Sequence, residues 1–359
     1  MSDLQAGNDF WAGKRVLITG HTGFKGSWLS FWLDEMGADV FGMALAPEGQ
    51  PNLFDQLGHE SEIDHMLGDI RDSDLVAQRV TQVQPDIVFH LAAQPLVLAS
   101  YEDPMQTWQT NVMGSLHVMQ ACRALSKTCS KTCALVMVTT DKVYENQEDG
   151  RAYKEDASLG GYDPYSASKA AMEIAISSWR RSFMQDGPVR MASARAGNVI
   201  GGGDWAENRI TPDIVRALIA GQEISVRNPG AVRPWQHVLE PLWGYITLAE
   251  RLWTSDDARY QSSFNLGPDM ADVRPVQDLV KAALGHWSGT WHETPDAAAP
   301  HEAGLLSLDN SRAAEVLGVT PRWGFDQTVG KTISWYHAVQ TGGDAPEITR
   351  TQIREFMAP

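Results

Sequence analysis

Apolar and polar positions along the first half of the chain follow two periods in alternation. Short, nearly continuous apolar runs occupy Arg15–Thr19 (RVLIT), Asp39–Ala44, Glu62–Leu67, Asp86–Ala92 (DIVFHLA), Ala134–Thr140 (ALVMVTT) and Val189–Ala194. Runs of this length, rich in β-branched residues, predict buried strands. Between them lie stretches with helical spacing: Ser27–Met36, Ser73–Val83, a helix from Pro104 to Leu125, and Pro164–Met184. In Ser73–Val83 the apolar residues Leu75, Val76, Val80 and Val83 fall near helical intervals, and Pro104 suits a first helical position. Strands and helices alternating at this spacing predict a doubly wound parallel sheet with helices on both faces.

After Arg195 the texture changes. Gly, Pro and Trp become frequent, as in Gly201-Gly202-Gly203-Asp204-Trp205, Pro229, Pro234 and Trp235, and short strands mix less regularly with helices at Leu239–Trp253, Pro275–Leu284 and Phe325–Gln340. The expectation is an α/β protein with a Rossmann-type domain over 1–195 and a smaller α+β substrate-binding domain over 196–359, the two interleaved near the boundary.

Composition narrows the function. The hydrophobic share is 43%, enough for a sizeable core. The formal charge is −16, from 29 Lys+Arg against 45 Asp+Glu. That field repels nucleic acid and anionic membrane, so an anionic ligand needs a local basic or dipolar site. No stretch approaches the length of a transmembrane helix, and Met1 to Asp9 lacks the pattern of a secretory signal. The three cysteines, Cys122, Cys129 and Cys133, lack metal-site spacing, and an odd count without a signal favours free thiols in a cytoplasmic protein.

Chemistry enters at Gly20-His21-Thr22-Gly23-Phe24-Lys25-Gly26, directly after the first strand and opening a helix. In G-x-x-G-x-x-G the first glycine permits a tight turn, the second lets backbone approach a pyrophosphate, and the third lets helix and strand pack closely. Free N–H groups at the helix start then hold the anion. The acidic residue that usually closes the second strand is missing, because Phe41-Gly42-Met43-Ala44 occupies that region. The absence of a basic cluster there favours NAD over NADP. Asp69 is a candidate for the adenine edge, with ordinary helix capping by Asp72 the alternative.

Tyr165-Ser166-Ala167-Ser168-Lys169 lies near the start of the long helix. Residues four apart share a helix face, so an ammonium beside the phenol is expected to lower its pKa and suit it as a base. The order of glycine loop, Thr140 at a strand end, then this pair gives the spacing meaning.

These motifs, with His90-Leu91-Ala92-Ala93-Gln94, Thr110-Asn111-Val112-Met113-Gly114, Thr139-Thr140-Asp141-Lys142-Val143-Tyr144, Gly161-Tyr162-Asp163-Pro164-Tyr165-Ser166, Arg195-Ala196-Gly197-Asn198-Val199-Ile200-Gly201, Arg233-Pro234-Trp235-Gln236-His237-Val238 and Pro300-His301-Glu302-Ala303, span nearly the whole chain. The sequence resembles the extended short-chain dehydrogenase/reductase family, and within it the nucleotide-sugar dehydratases. The resemblance implies bound NAD, a nucleotide-sugar substrate with CDP-glucose the preferred candidate, and a homodimer built on paired long helices.

It also implies roles. Thr140, Tyr165 and Lys169 match the triad of the hydride step, with Lys169 also binding the nicotinamide ribose. Asp141 matches the acid that protonates the leaving C6 hydroxyl. Lys142 stands where relatives acting on TDP-glucose carry a glutamate base; it is either the base for the C5 proton, with a pKa depressed by burial or by Lys169, or a phosphate or hydroxyl ligand. The implied cofactor set is Gly20, Thr22, Gly23, Phe24, Lys25, Gly26, Asp69, Ile70, Ala92, Ala93, Gln94 and Thr139, with Tyr165 and Lys169. Implied substrate contacts are Gln94, Asn198, Arg209, Arg233, His301 and Glu302. His237 reads as a core or loop histidine, and Trp235 either packs in the core or stacks on the base. A nucleotide-sugar 4-epimerase shares the fold and triad but needs no acid–base pair, so Asp141-Lys142 speaks for a dehydratase. A cofactor-binding regulator that has lost its chemistry is disfavoured because both Tyr165 and Lys169 are present.

Overall fold

The run Arg15–Thr19 forms β1, an interior strand of a seven-stranded sheet, in the computed structural model, which describes residues 9–128, 131–185, 187–295 and 306–358. The other strands are β2 (Asp39–Ala44), β3 (Asp64–Leu67), β4 (Ile87–His90), β5 (Cys133–Thr140), β6 (Val189–Ala196) and β7 (Ser263–Leu266). They lie in the order β3-β2-β1-β4-β5-β6-β7, and every pairing is parallel. The order reverses between β1 and β4, which opens a crevice beyond their carboxyl ends, where doubly wound sheets bind ligands.

Alternation along the strands assigns the two faces. Val16, Ile18, Ile87, Phe89, Ala134 and Val136 point into one apolar cluster, with Trp28, Leu29 and Trp32 of helix α1 (Phe24–Glu35). Leu17, Val88, Leu135 and Met137 point into the other. There they meet Val76, Val80 and Val83 of α2 (Ser73–Val83), Val118 and Cys122 of α3 (Ser115–Thr128), and Met172 and Ile176 of α4 (Pro164–Phe183). Apolar runs buried on both faces are what a parallel sheet between helix layers requires.

The first cluster also takes in Leu242, Tyr245, Ile246 and Ala249 of α5 (Leu239–Thr254). The seventh strand pairs with β6 from Ser263↔Ser193 to Leu266↔Ala196. Residues beyond 195 thus return to the first layer to cover a strand edge and face that the N-terminal segment leaves bare. The remainder builds two-stranded ribbons, among them Val232–Pro234 antiparallel to Val273–Pro275 and Gln236–His237 parallel to Val199–Ile200. No helix among the described residues is long and apolar enough to cross a membrane.

One expected element differs in kind. The helix from Pro104 to Leu125 is interrupted by a π-helical turn at Gln109–Gly114. Its Asn111 is buried and holds the chain after β4: Nδ2 donates to the Gln94 carbonyl at 3.1 Å, and Oδ1 accepts from the Gln94 amide at 2.8 Å. A tertiary bond, invisible to helical periodicity, selects the wider turn.

Candidate active site

The glycine loop lies at the reversal of strand order. Gly20 has φ +80°, and a β-carbon there would sit 2.7 Å from the Ala92 nitrogen of the chain leaving β4. At Gly26 a β-carbon would lie 2.0 Å from the Gly20 carbonyl oxygen. Both positions therefore admit only glycine. Gly23, by contrast, is exposed and caps α1 without a side-chain hydrogen bond, and the first turn carries no acidic residue. The helix amides stay open to an anion. Thr22 ties the loop to the end of β2 through the Leu45 carbonyl at 2.9 Å.

Beyond the loop runs a cleft of about 2310 Å³, well above the roughly 300–1,000 Å³ of a drug-sized pocket. Its lining includes Gly20, Thr22–Gly26, Asp69, Ile70, Ala92, Ala93, Thr139–Lys142, Tyr165 and Lys169 from the first part of the chain, and Asn198, Arg209 and Arg233 from the second. The two halves of the chain thus bring these residues to one space. Glycine loop, open helix terminus and room fit a dinucleotide. Arg71, which lines the cleft, is engaged by Asp69 at 2.6 Å, and Asp72 caps α2 through the amides of Asp74 and Leu75.

Gln94 is turned elsewhere. Its Nε2 donates to Thr107 at 2.9 Å and its Oε1 accepts from the Leu96 amide at 2.6 Å, so the side chain holds a loop rather than lining the cleft. His301 and Glu302 lie outside the described residues. His237 is a core residue, fully buried against Trp28 and Trp323, and burial lowers its pKa to about 3. Trp235 is anchored by its indole N–H on the Arg274 carbonyl at 2.9 Å.

At the end of β5, Thr140 acts on the Tyr165 phenol, and the Thr140 hydroxyl donates to Asp141 Oδ1 at 2.9 Å. Asp141 is 1% exposed, and its Oδ2 has no hydrogen-bond partner among the described residues. A buried acceptor left in this way is rare in folded proteins. Lys142 Nζ stands 3.7 Å from Asp141 Oδ1, with 29% of its side chain exposed. Arg209 is held by Asp204 at 3.0 Å, which raises its pKa, and it feels the charge of Tyr165.

Two electrostatic expectations change. The Tyr165 phenol is not lowered by Lys169; burial pushes it up to about 12, against the opposing Thr140 bond. The Lys169 ammonium donates instead to the Val138 carbonyl at 3.3 Å, in an interior where desolvation dominates. Lowered lysine pKa values fall on Lys169, brought to about 7 by burial and then by Lys25, and on Lys25, brought to about 8 by burial and then by Arg209.

Two buried residues joined to the triad were not singled out as site residues from the sequence. Asn111 donates to Ser168 Oγ at 2.9 Å, between Tyr165 and Lys169, and Glu173 lies one turn after Lys169 on α4. The Tyr165, Lys169, Glu173 spacing of four was the available signal.

Known proteins resemble this chain along nearly its whole length. The chain is 44% identical over 356 residues to the CDP-glucose 4,6-dehydratase of Salmonella typhimurium, covering 98% of both chains. The crystal structure of a Streptomyces venezuelae dTDP-glucose 4,6-dehydratase with NAD bound superposes with a TM-score of 0.76 at 22% identity, covering 92% of this chain and 99% of that one. A Thermus thermophilus UDP-glucose 4-epimerase in complex with NAD gives 0.74 at 23% identity, covering 90% and 98%. The profile of the GDP-mannose 4,6 dehydratase family matches residues 17–332, and the chain belongs to that family.

Proposed function

We propose that this chain is an NAD-dependent CDP-glucose 4,6-dehydratase, a lyase converting CDP-D-glucose to CDP-4-keto-6-deoxy-D-glucose and water. The observation that carries the reading is the buried line Tyr165–Thr140–Asp141, which ends in a carboxylate whose Oδ1 lies 3.7 Å from Lys142 and whose Oδ2 has no hydrogen-bond partner among the described residues. A 4-epimerase has no use for that acid. The full-length 44% identity to a CDP-glucose enzyme supports the nucleotide.

The glycine loop, Asp69, Ile70, Ala92, Ala93 and Thr139 would hold NAD, with Lys169 at the nicotinamide ribose. NAD, when bound there, would supply a reversible hydride acceptor for C4 and C6, so that no net oxidation would result. Tyr165, protonated in its buried site, takes the proton of the C4 hydroxyl only as its own proton passes on toward Thr140 and the Asp141 carboxylate. Because Thr140 donates to Asp141, a proton entering at Tyr165 has a path along the hydroxyl to the carboxylate. The C4 carbonyl acidifies C5–H; Lys142 removes that proton while Asp141 delivers its own to the departing C6 hydroxyl. Lys142 then returns a proton to C5. The C4 hydroxyl proton thus leaves in the water formed, and the atoms balance. Arg209, Arg233 and Asn198 would hold the diphosphate and sugar against the chain's negative field.

We also read the protein as a cytoplasmic homodimer. The exposed apolar residues Met105, Trp108, Met113 and Ile174 sit on mutually packed segments that include α4, and sedimentation equilibrium decides between one copy and two. The functional test is incubation with CDP-glucose, TDP-glucose, UDP-glucose and GDP-mannose, scored by 4-keto-sugar absorbance in alkali. CDP-glucose should turn over. Turnover of TDP-glucose alone overturns the nucleotide assignment, and an epimerised hexose without water loss restores the 4-epimerase reading.

A further inference from the structure

A buried polar network lies beside the cleft, linking the end of β5 to α4, the helix that carries Tyr165 and Lys169. Glu173 Oε1 accepts from the Thr139 hydroxyl at 2.5 Å. Its Oε2 accepts from Arg195 Nη2 at 2.8 Å and from Ser193 at 2.8 Å. Arg195 Nη1 donates to the Tyr144 hydroxyl at 2.8 Å, and that hydroxyl donates to Asn265 Oδ1 at 2.6 Å. Asn265 is fixed in turn by the carbonyls of Tyr153 and Asp309, at 2.8 and 3.1 Å. Thr139, Glu173, Arg195, Tyr144 and Asn265 are all buried.

The topology gives this network a purpose. Thr139 immediately precedes, and Tyr144 immediately follows, the tetrapeptide Thr140-Asp141-Lys142-Val143. That tetrapeptide leaves the strand in a single 3-10 turn, Asp141–Val143, after which the backbone is held by the Gly160 amide on the Val143 carbonyl and the Tyr144↔Leu159 bridge, while the turn itself has no strand partner among the described residues. One ion pair, Glu173–Arg195, grips both flanks. The same carboxylate lies four residues after Lys169, on the helical stripe that also carries Tyr165.

We propose that Glu173, Arg195 and Tyr144 are positioning residues for the dehydration, a two-ended clamp that sets the acid and base against the triad; this rests on the dehydratase reading above. A buried ion pair is weak support for stability, because well-packed apolar residues often serve as well. What the pair supplies here is fixed geometry at both ends of a short turn, and misplacement by about 1 Å can cost on the order of a hundredfold in rate. Burial alone would raise the Glu173 carboxyl, yet Arg195 and the Thr139 and Ser193 hydroxyls hold it below the ordinary carboxylate value. As an anion it also favours the ammonium of Lys169, against burial and Lys25; His90 is the further titratable group facing Lys169.

The test compares purified holoenzyme with Tyr144→Phe and Glu173→Gln variants. Tyr144→Phe frees only the Lys142 flank. Overall kcat and C5 proton–deuterium exchange should fall together by about ten- to a hundredfold, KM should stay within about twofold, and unreacted 4-keto-glucose should accumulate because the hydride step survives. Amide hydrogen exchange should quicken across residues 139–145 by more than the drop in global stability from the orphaned partners accounts for. Glu173→Gln should in addition move the alkaline limb of the hydride step to lower pH, since Lys169 loses its anion. Unchanged kcat, C5 exchange and amide protection in Tyr144→Phe overturn the clamp, even if Glu173→Gln does not fold. Should the wild-type protein fail to dehydrate CDP-glucose, the functional reading falls, and amide protection still decides whether the turn is gripped from both ends.

Discussion

His21 is seated on Gly42: a β-carbon at position 42 would lie 2.5 Å from the imidazole ring. The second residue of the glycine loop thus packs on the middle of β2. His21 is fully buried, touches Phe54 and His65, and has no hydrogen-bond partner on either ring nitrogen among the described residues. Burial, then His65, lowers its pKa to about 3, so it serves as a neutral wedge under the loop.

That contact predicts a coupled pair. Gly42→Ala should cost about 1–3 kcal/mol, the usual penalty of overpacking, read as a lower urea midpoint at unchanged slope. In a His21→Ala background the same change should cost much less, because the opposing ring is gone. Additive costs would show that the two residues do not meet.

The division of labour at the end of β5 predicts a split between steps. Lys142→Ala should lower C5 proton–deuterium exchange about 10²–10⁴-fold, the usual worth of a general base, while the nicotinamide is still reduced on mixing with CDP-glucose. Asp141→Asn should lose release of the C6 hydroxyl and, because the C4 hydroxyl proton no longer has a carboxylate to reach, should slow nicotinamide reduction and the C5 exchange that follows it. Undiminished exchange in Lys142→Ala makes that lysine a phosphate or hydroxyl ligand instead.

Stability should depend on Glu240 at the start of α5. This buried carboxylate accepts the amides of Arg322 and Trp323, at 3.0 and 2.7 Å, on the same oxygen, Oε1. Burial, only partly offset by those amides, raises its pKa to about 7. A folded pKa above the unfolded value means stability that is present below about pH 4.5 and lost as pH rises through 7. Glu240→Gln can keep both amide bonds and removes the charge. The variant should gain about 1–3 kcal/mol at pH 8 and lose the slope between those limits, as read by denaturant titration at several pH values.

How much of this was legible in the chain depends on where the determinant lies. Arg15–Thr19 and Ser73–Val83 announce themselves because their own periodicity matches the surface they bury. The strand Ser263–Leu266 does not, since four residues without alternation become a strand only through the exposed edge of β6. The helix Ala345–Met357 carried a usable start signal, Asp344 with a proline after it, that periodicity elsewhere overshadowed. At the site, spacing alone places Tyr165 and Lys169 on one face, yet which groups lower or raise their protons follows from burial and from neighbours on other elements. Gln94 belongs to the same lesson: its motif sits at the right strand end, and its side chain is claimed by Thr107 and Leu96.

Lys25 supplies the sharpest electrostatic test. It reaches from the glycine loop into the cleft, where Arg209, Asp141, Lys142 and Asp204 act on it. It is also the second cause, after burial, of the low pKa of Lys169, near 7, with Glu173 opposing. Removing the Lys25 charge should therefore raise the Lys169 pKa, the reverse of the change expected when the Glu173 charge is removed. If the ammonium form of Lys169 serves the hydride step, that step is present below its pKa and lost as pH rises through it. Lys25→Met should carry the alkaline limb of nicotinamide reduction to higher pH, and Glu173→Gln should carry it to lower pH. The measurement is single-turnover reduction of bound nicotinamide across the alkaline range, which precedes elimination and so is blind to Lys142. Shifts of the same sign in both variants would mean that the limb reports some other group.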